Sequence, residues 1–246
     1  VVALAIVTLH PEGSTPKREN LVHPLDNPIW SALTTQQSSI AIGGDLARRF
    51  PADKAPFGAF PSPSKESFDS LAQLCEVGNE LALFTLGPVD LPGRFEVTRS
   101  AVLNQMICTP VQLHEPTVEL TQLGSNDVDA MMALVDLTKP GPFAIRTHEL
   151  GRYIGIRVDG QLVAMAGERL HVDGFTEVSA VCTHPFHRGR GYSRDLIAGV
   201  SKGIQARGEV PFLHVLDDNL SAIALYEKLG FTFRSALQLS VVTRVS

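Results

Sequence analysis

The stretch "RYIGIRVDGQLVAMAGERLHVDGFTEVSAVCTHP", Arg152 to Pro185, constrains the fold more than any other part of the chain. Three strand-like runs are joined by Asp159-Gly160 and Asp173-Gly174. Asp-Gly between such runs is a strong hairpin signal, because both residues tolerate the positive φ that tight turns need. The segment therefore reads as an antiparallel meander. Upstream, "TVELTQL" alternates like a strand, and "SNDVDAMMALVDLT" reads as a helix capped by Ser125 or Asn126 with acidic residues in its first turn. Downstream come a helix "SRDLIAGVSKGIQARG" closing at Gly208, a strand "PFLHVL", a helix "SAIALYEKLG" and a strand "FTFRSALQLSVV". The predicted order is β-α-β-β-β-α-β-α-β. That is an α+β fold with a mixed, mostly antiparallel sheet flanked by helices, spanning residues 116–246.

The first half, residues 1–115, is read as a smaller α/β domain. "VVALAIVTLH" is apolar but short, without a basic leader or a cleavage pattern, so a buried strand is expected there rather than a signal peptide. "FPADKAPFGAFPSPS" and "LGPVDLPGR" are rich in proline and turn residues. Between them "SKESFDSLAQLCEVG" has helical spacing, and "ELALFTLG" reads as a buried strand. "AVLNQMICT" fits a strand or a short helix. Trp30 and Phe57 are expected to line a core or a pocket. Prolines at 110 and 116 mark the boundary between the halves.

A hydrophobic content of 44% with 19% charged residues is that of an ordinary globular chain. A net charge of −5 argues against a general nucleic-acid binder. No run approaches the length of a membrane-spanning helix. Cys75, Cys108 and Cys182 are far apart and odd in number, which suggests no disulfide framework and a reducing, cytoplasmic setting. No nucleic-acid or membrane partner is expected, and the oligomeric state is not readable.

Against this background "CTHPFHRGRGYSRDL", Cys182 to Leu196, stands out. Cys182, His184 and His187 could suggest a metal, but zinc needs three or four converging ligands and no partner cluster lies nearby. "GRGYSR" supplies two glycines of a dinucleotide fingerprint and places Arg194 where the third should be. RNA-binding Arg-Gly tracts repeat, and this one does not. The chain has neither a Walker loop nor a G-x-S-x-G elbow. A phosphate-binding turn fits better. It lies between a strand and a helix, its glycines let successive N–H groups point one way, and the helix N-terminus adds a positive field. An exposed turn with solvated arginines is the alternative at this point.

A second motif follows in "DNLSAIALYEKLGF". Asn219, Ala222, Tyr226, Gly230 and Phe231 form N-x-x-A-x-x-x-Y-x-x-x-G-F on a helix started by Asn219 or Ser221 and ended by Gly230. Together with "HPFHRGRGYS", this resembles the GNAT superfamily of N-acetyltransferases. Arg188, Gly191 and Ser193 match its acyl-CoA signature R/Q-x-x-G-x-G/A, with Ser193 replacing the usual Gly or Ala. The resemblance runs from Val118 to the C-terminus. It leaves open whether the first half is a degenerate second copy of the fold.

The resemblance implies an enzyme that uses acetyl-CoA as co-substrate and no metal, and that acetylates a small-molecule or peptide amine. In this family the strand "VSAVCT" splays from its neighbour and pantetheine adds beside it. The N–H of Val181 would polarise the thioester carbonyl. Cys182 and Thr183 continue that edge, with Thr183 pairing with the pantetheine amide. N–H groups of Arg188, Gly189, Arg190, Gly191, Tyr192 and Ser193 would hold the pyrophosphate. Tyr226 would protonate the leaving thiolate, and Asn219 would contact the cofactor or fix the helix start. Glu177 stands where one branch of the family carries its base, which suits the job if burial raises its pKa. Glu168 or a water chain is the substitute. His214 is expected to be a packed strand histidine. The N-terminal half and "HELGRYIG", His148 to Gly155, would wall the acceptor site. The acceptor itself is not readable. Another acyl-CoA, or a silent acyl-CoA-binding module, remains an alternative.

Overall fold

The computed structural model describes residues 23–108 and 114–246. The N-terminal run expected as a strand and Pro110 lie outside them. Eleven strands are present among the described residues. β1 (Ile42–Gly43), β2 (Arg48–Arg49) and β3 (Gly58–Ala59) make a small antiparallel sheet. The others are β4 (Glu80–Thr85), β5 (Phe95–Cys108), β6 (Thr121–Leu123), β7 (Tyr153–Val158), β8 (Gln161–Val172), β9 (Phe175–Thr183), β10 (Val210–Leu216) and β11 (Phe231–Arg244). They form one eight-stranded sheet in the order β4-β11-β5-β10-β9-β8-β7-β6. Among the described strands of this sheet, β9 and β10 are the one pair that runs parallel.

The helices are α1 (Pro28–Thr34), α2 (Lys65–Gln73), α3 (Val128–Thr138), α4 (Tyr192–Gln205) and α5 (Leu220–Lys228). From residue 121 onward the element order is the one the sequence predicts. Asp159 and Gly160, at φ 49° and 77°, make the type I′ turn that the twist of a tight hairpin requires. Two details differ. "TVELTQL" supplies a strand only at Thr121–Leu123, and Ser125–Asp127 form a 3-10 turn ahead of α3. There the Asp127 carboxylate accepts from the Gly124 N–H at 2.9 Å.

The separate N-terminal domain requires correction. β4 and β5 belong to the first half, yet β5 lies between β10 and β11 and pairs antiparallel with both. The boundary at 115/116 therefore divides the chain while the sheet runs continuously across it. "AVLNQMICT" is resolved as strand, since all of Phe95–Cys108 is extended.

Each face of the sheet is covered differently. On one, α4 turns Leu196, Ile197, Val200 and Ile204 onto Ile156, Ala164, Ala166 and Val178. Alanines on β8 let the helix approach closely, and each large side chain buried here contributes about 1.5–3 kcal/mol. On the other face, Leu25, Ile29, Phe50 and Phe57 from the first half pack on Leu170, Val172, Phe212 and Leu237. α3 covers the remainder of that face, with Met131, Leu134 and Val135 against Tyr153, Met165 and Cys182. Phe57 is thus a core residue. Trp30 is partly buried against the same cluster, with the Arg48 guanidinium over its ring.

Candidate active site

The site begins where the sheet opens. β9 and β10 are in register at Phe175–Val210, Thr176–Pro211 and Glu177–Phe212, and pairing stops there. Beyond that point β10 continues against β5 alone, and β9 against β8 alone. The two strands splay, leaving a wedge in the middle of the sheet.

β9 is also bulged beside the wedge. Gly167 opposes Ser179 and Met165 opposes Cys182, so Ala180 and Val181 together face Ala166. Ala180 takes φ 52°, an uncommon conformation for a residue with a Cβ. The extra residue shifts the alternation, so Val178 and Val181 face α4 while Ala180 and Cys182 face the α3 cluster. Non-glycine residues at positive φ concentrate at functional sites. Ala180→Gly should raise stability by up to about 1 kcal/mol, and Ala180→Val should lower it, because a β-branched residue tolerates this conformation poorly. Urea unfolding of both variants checks this.

At the end of β9 the chain turns through Pro185–His187 into α4. Gly189 and Gly191 have φ 76° and 82°, and Gly191 is the N-cap of a 14-residue helix. Such a turn aims backbone N–H groups outward, and the helix adds its positive end. Arg188 Nε donates to the Thr183 carbonyl at 3.3 Å. Among the described residues, neither Arg188 nor Arg190 has an acidic partner. Thr183 Oγ1 lies 3.1 Å from Ser193 Oγ, which ties the strand end to the helix start. An open cleft of about 230 Å³ is lined by Thr183, Arg188, Gly189, Gly191 and Ser193, and by Leu225 of α5.

Asp195 holds the helix start in place. It is fully buried, and its carboxylate accepts from the Thr117 N–H at 2.8 Å and the Thr117 hydroxyl at 2.6 Å. His114 Nε2 and Arg194 Nε lie 3.1 and 3.2 Å from its other oxygen. Sequence reasoning missed this anchor. Its signal was an Asp in the first turn of a helix, which reads equally as a favourable dipole contact.

Tyr226 sits on α5, its ring centroid 6.0 Å from that of Phe231. Its hydroxyl makes no hydrogen bond among the described residues, and burial pushes its pKa up to about 12. Asn219 Oδ1 accepts from the Ala222 N–H at 3.2 Å, so its side-chain oxygen caps the helix. Cys182 points its thiol away from the α4 side into the α3 cluster, leaving only its backbone for the wedge. Burial pushes that thiol up to about 11. His184 Nδ1 accepts from the Phe186 N–H within its own turn.

The structure corrects the expectation for Glu177. Its side chain is fully buried. Burial favours the neutral acid, but the Arg169 charge and the hydrogen bonds it receives outweigh that and hold its pKa down at about 2. Arg169 donates Nη2 to Oε1 at 2.7 Å and Nε to Oε2 at 2.8 Å, and His214 Nδ1 lies 2.7 Å from Oε1. The pair belongs to a longer chain. Arg234 Nη1 donates to Gln105 Oε1 at 2.8 Å, which turns the Gln105 amide nitrogen toward the Leu25 carbonyl and His214 Nε2. With the Gln105 amide nitrogen facing it, His214 Nε2 is placed as the acceptor and Nδ1–H as the donor to Glu177. Arg234 also pairs with Asp26 at 2.6 Å. His214 is thus a packed strand histidine, as expected. Glu168 is no substitute base. It is buried, pairs with Arg207 at 2.9 Å, and lines a small cavity of about 90 Å³ with Gly199 and Gly203 of α4, away from the wedge.

The segment after α3 is tied to the first half through residues 146–149. Thr147 Oγ1 donates to the Lys54 carbonyl at 2.5 Å, and Arg146 N–H to the Asp53 carbonyl at 2.9 Å. Lys54 pairs with Glu149 at 2.5 Å. The first half thereby clamps residues 146–149 beside the α3 face.

A GNAT-family protein of Novosphingobium aromaticivorans, seen in a crystal structure, is 39% identical and superposes with a TM-score of 0.85, covering 92% of this chain and 100% of that one. The chain belongs to the GNAT family. The FR47-like protein family matches residues 153–239, which spans the meander, the cradle and α5 of this GNAT chain. An uncharacterized protein of Mycobacterium leprae is 34% identical over 133 residues, covering 50% of this chain and 36% of that protein. The N-alpha-acetyltransferase RimI of Mycobacterium tuberculosis is 38% identical over 99 residues, covering 37% of this chain and 61% of that protein. The GNAT chain thus matches less than two thirds of the length of either curated relative. No helix among its described residues is long and apolar enough to cross a membrane.

Proposed function

We propose that the protein is an N-acetyltransferase that passes the acetyl group of acetyl-CoA to an amine by direct attack on the thioester. The observation that carries this is the wedge between β9 and β10, opening at the Ala180 bulge and leading to the Gly189–Gly191 turn at the start of α4. The residues present fit the donor. A splayed strand edge suits an amide-bearing arm, and a glycine turn with two arginines that have no acidic partner among the described residues suits a pyrophosphate.

Acetyl-CoA supplies the activated acyl carbon and a thiolate leaving group. Val181 N–H stabilises the charge that develops on the carbonyl oxygen, Thr183 aligns the arm, and Arg188 to Ser193 hold the pyrophosphate. As the N–C bond forms and the C–S bond breaks, Tyr226 gives its proton to sulfur. The amine proton leaves through water, since Glu177 and Glu168 are buried and ion-paired elsewhere. The RimI match makes a peptide α-amine the first acceptor to test.

Wild-type protein should bind CoA in calorimetric titration and release thiol from acetyl-CoA with a short peptide bearing a free α-amine. Removing both arginines, Arg188→Ala with Arg190→Ala, should weaken CoA binding about 10-fold or more, with a shallower salt dependence. CoA binding that ignores the double change would remove the cradle from the proposal. Tight CoA binding with no thiol release on any amine would leave a binding module in place of an enzyme.

A further inference from the structure

Tyr153 carries a feature the mechanism above does not use. Its side chain is 1% exposed, and its hydroxyl has no hydrogen-bond partner among the described residues. Buried hydroxyls are nearly always satisfied, and exceptions in native folds tend to mark a ligand or water position. The placement of this one is specific. Tyr153 of β7 opposes Gly167 of β8, which opposes Ser179 of β9, next to the Ala180 bulge. Gly167 has no side chain, and the Tyr153 ring fills that space. A Cβ there would lie 2.3 Å from one ring carbon and 2.5 Å from two others. The residue thus reaches from β7 across β8 toward the bulge. The Phe143 ring packs edge-on against it at 5.7 Å from the segment after α3.

The face also matters. α4 and α5 pack on the Val181 side of the wedge, whereas an amine in the proposed reaction would approach from the other side, past the edge of α3. That is the side of Tyr153, Ala180 and Phe143. We infer that the Tyr153 hydroxyl is the hydrogen-bonding position for the incoming amine on the acceptor side of the bulge, held by water until the amine displaces it. This rests on the acetyl-transfer reading above and extends it to the acceptor side. Gly167 is kept small to let the ring lie there, and the segment carrying Phe143 closes over the position.

Tyr153→Phe separates this role from a packing role. The change keeps the ring and removes only the unsatisfied hydroxyl, so the melting temperature should be unchanged or higher. The KM for the peptide α-amine should rise and its kcat/KM fall about 10-fold or more, with CoA affinity by titration unchanged. A kcat/KM within twofold of wild type would overturn the assignment. A crystal structure of the wild-type protein with CoA provides an independent readout. An ordered water or ligand atom within hydrogen-bond distance of Tyr153 Oη is expected, and a hydroxyl still without a partner would overturn the inference even if no peptide proves to be an acceptor. Failure of wild-type protein to bind CoA would instead count against the acetyl-transfer reading itself.

Discussion

Replacing Glu177 with alanine is expected to destabilise the free protein by about 3–5 kcal/mol, the cost of leaving one partner of a buried ion pair uncompensated. Arg169 is about as deeply placed as Glu177, with its guanidinium stacked over the Phe57 ring at 4.7 Å, and it has no other acidic partner among the described residues. The His214 Nδ1–H would lose its acceptor as well. Urea unfolding without any substrate measures the effect, which sets it apart from loss of a base. A base could be removed with little change in stability and a large change in turnover. Acid adds a second check. The Glu177 pKa is lowered on folding from 4.5 to about 2, so the stability it contributes is complete above about pH 4.5 and drains away as pH falls toward 2. The alanine variant should lack that part of the acid transition. A loss below about 1 kcal/mol at neutral pH would show that the pair contributes little to stability.

Some of the site is legible in the sequence and some, Glu177 above all, is not. The C-terminal element order could be read because its punctuation is local. Asp159-Gly160, Gly208 and Gly230 sit at positive φ as tight turns and helix ends require, and Asn219 caps as Asn does. The cradle was legible for the same reason, since its glycines and arginines are consecutive. The ion pair was not. A regular hairpin around Asp173-Gly174 sets Leu170 against Glu177, extrapolating from His171 opposite Thr176. An extra residue on β8 puts both Arg169 and Leu170 opposite Glu177, and no local signal announces that bulge. A charged pair at the start of "ERLHVDGFTE" was visible, but its direction into the core was not. The place of β5 was likewise hidden. Its partners β10 and β11 lie more than a hundred residues downstream, and strand pairing at that range is decided by packing rather than by local pattern. Gln105, which fixes the His214 tautomer, is carried by that strand, outside the part of the chain where the resemblance holds.

Tyr226→Phe is expected to slow the chemical step about 100-fold, the lower range for a lost general acid. The ring should stay packed on Phe231, because only the oxygen is removed. CoA affinity should therefore change little, and the loss should fall on kcat. A pKa near 12 bears on how the proton is given. It exceeds the roughly 8.5 of a free thiol, so handing a proton to a fully formed thiolate is uphill for this partly buried phenol. The transfer is favourable only while charge is still building on sulfur in the low-dielectric wedge, where the donor O–H also stabilises that charge. Two consequences can be measured. In single-turnover experiments the phenylalanine variant should lose more with acetyl-CoA than with an acyl donor whose leaving thiol is more acidic, because that thiol needs less help. The wild-type rate should show no alkaline limb from this group between pH 7 and 10, since the phenol stays protonated throughout. A variant whose single-turnover rate lies within twofold of wild type would remove Tyr226 from the proton path and leave water to protonate the thiolate.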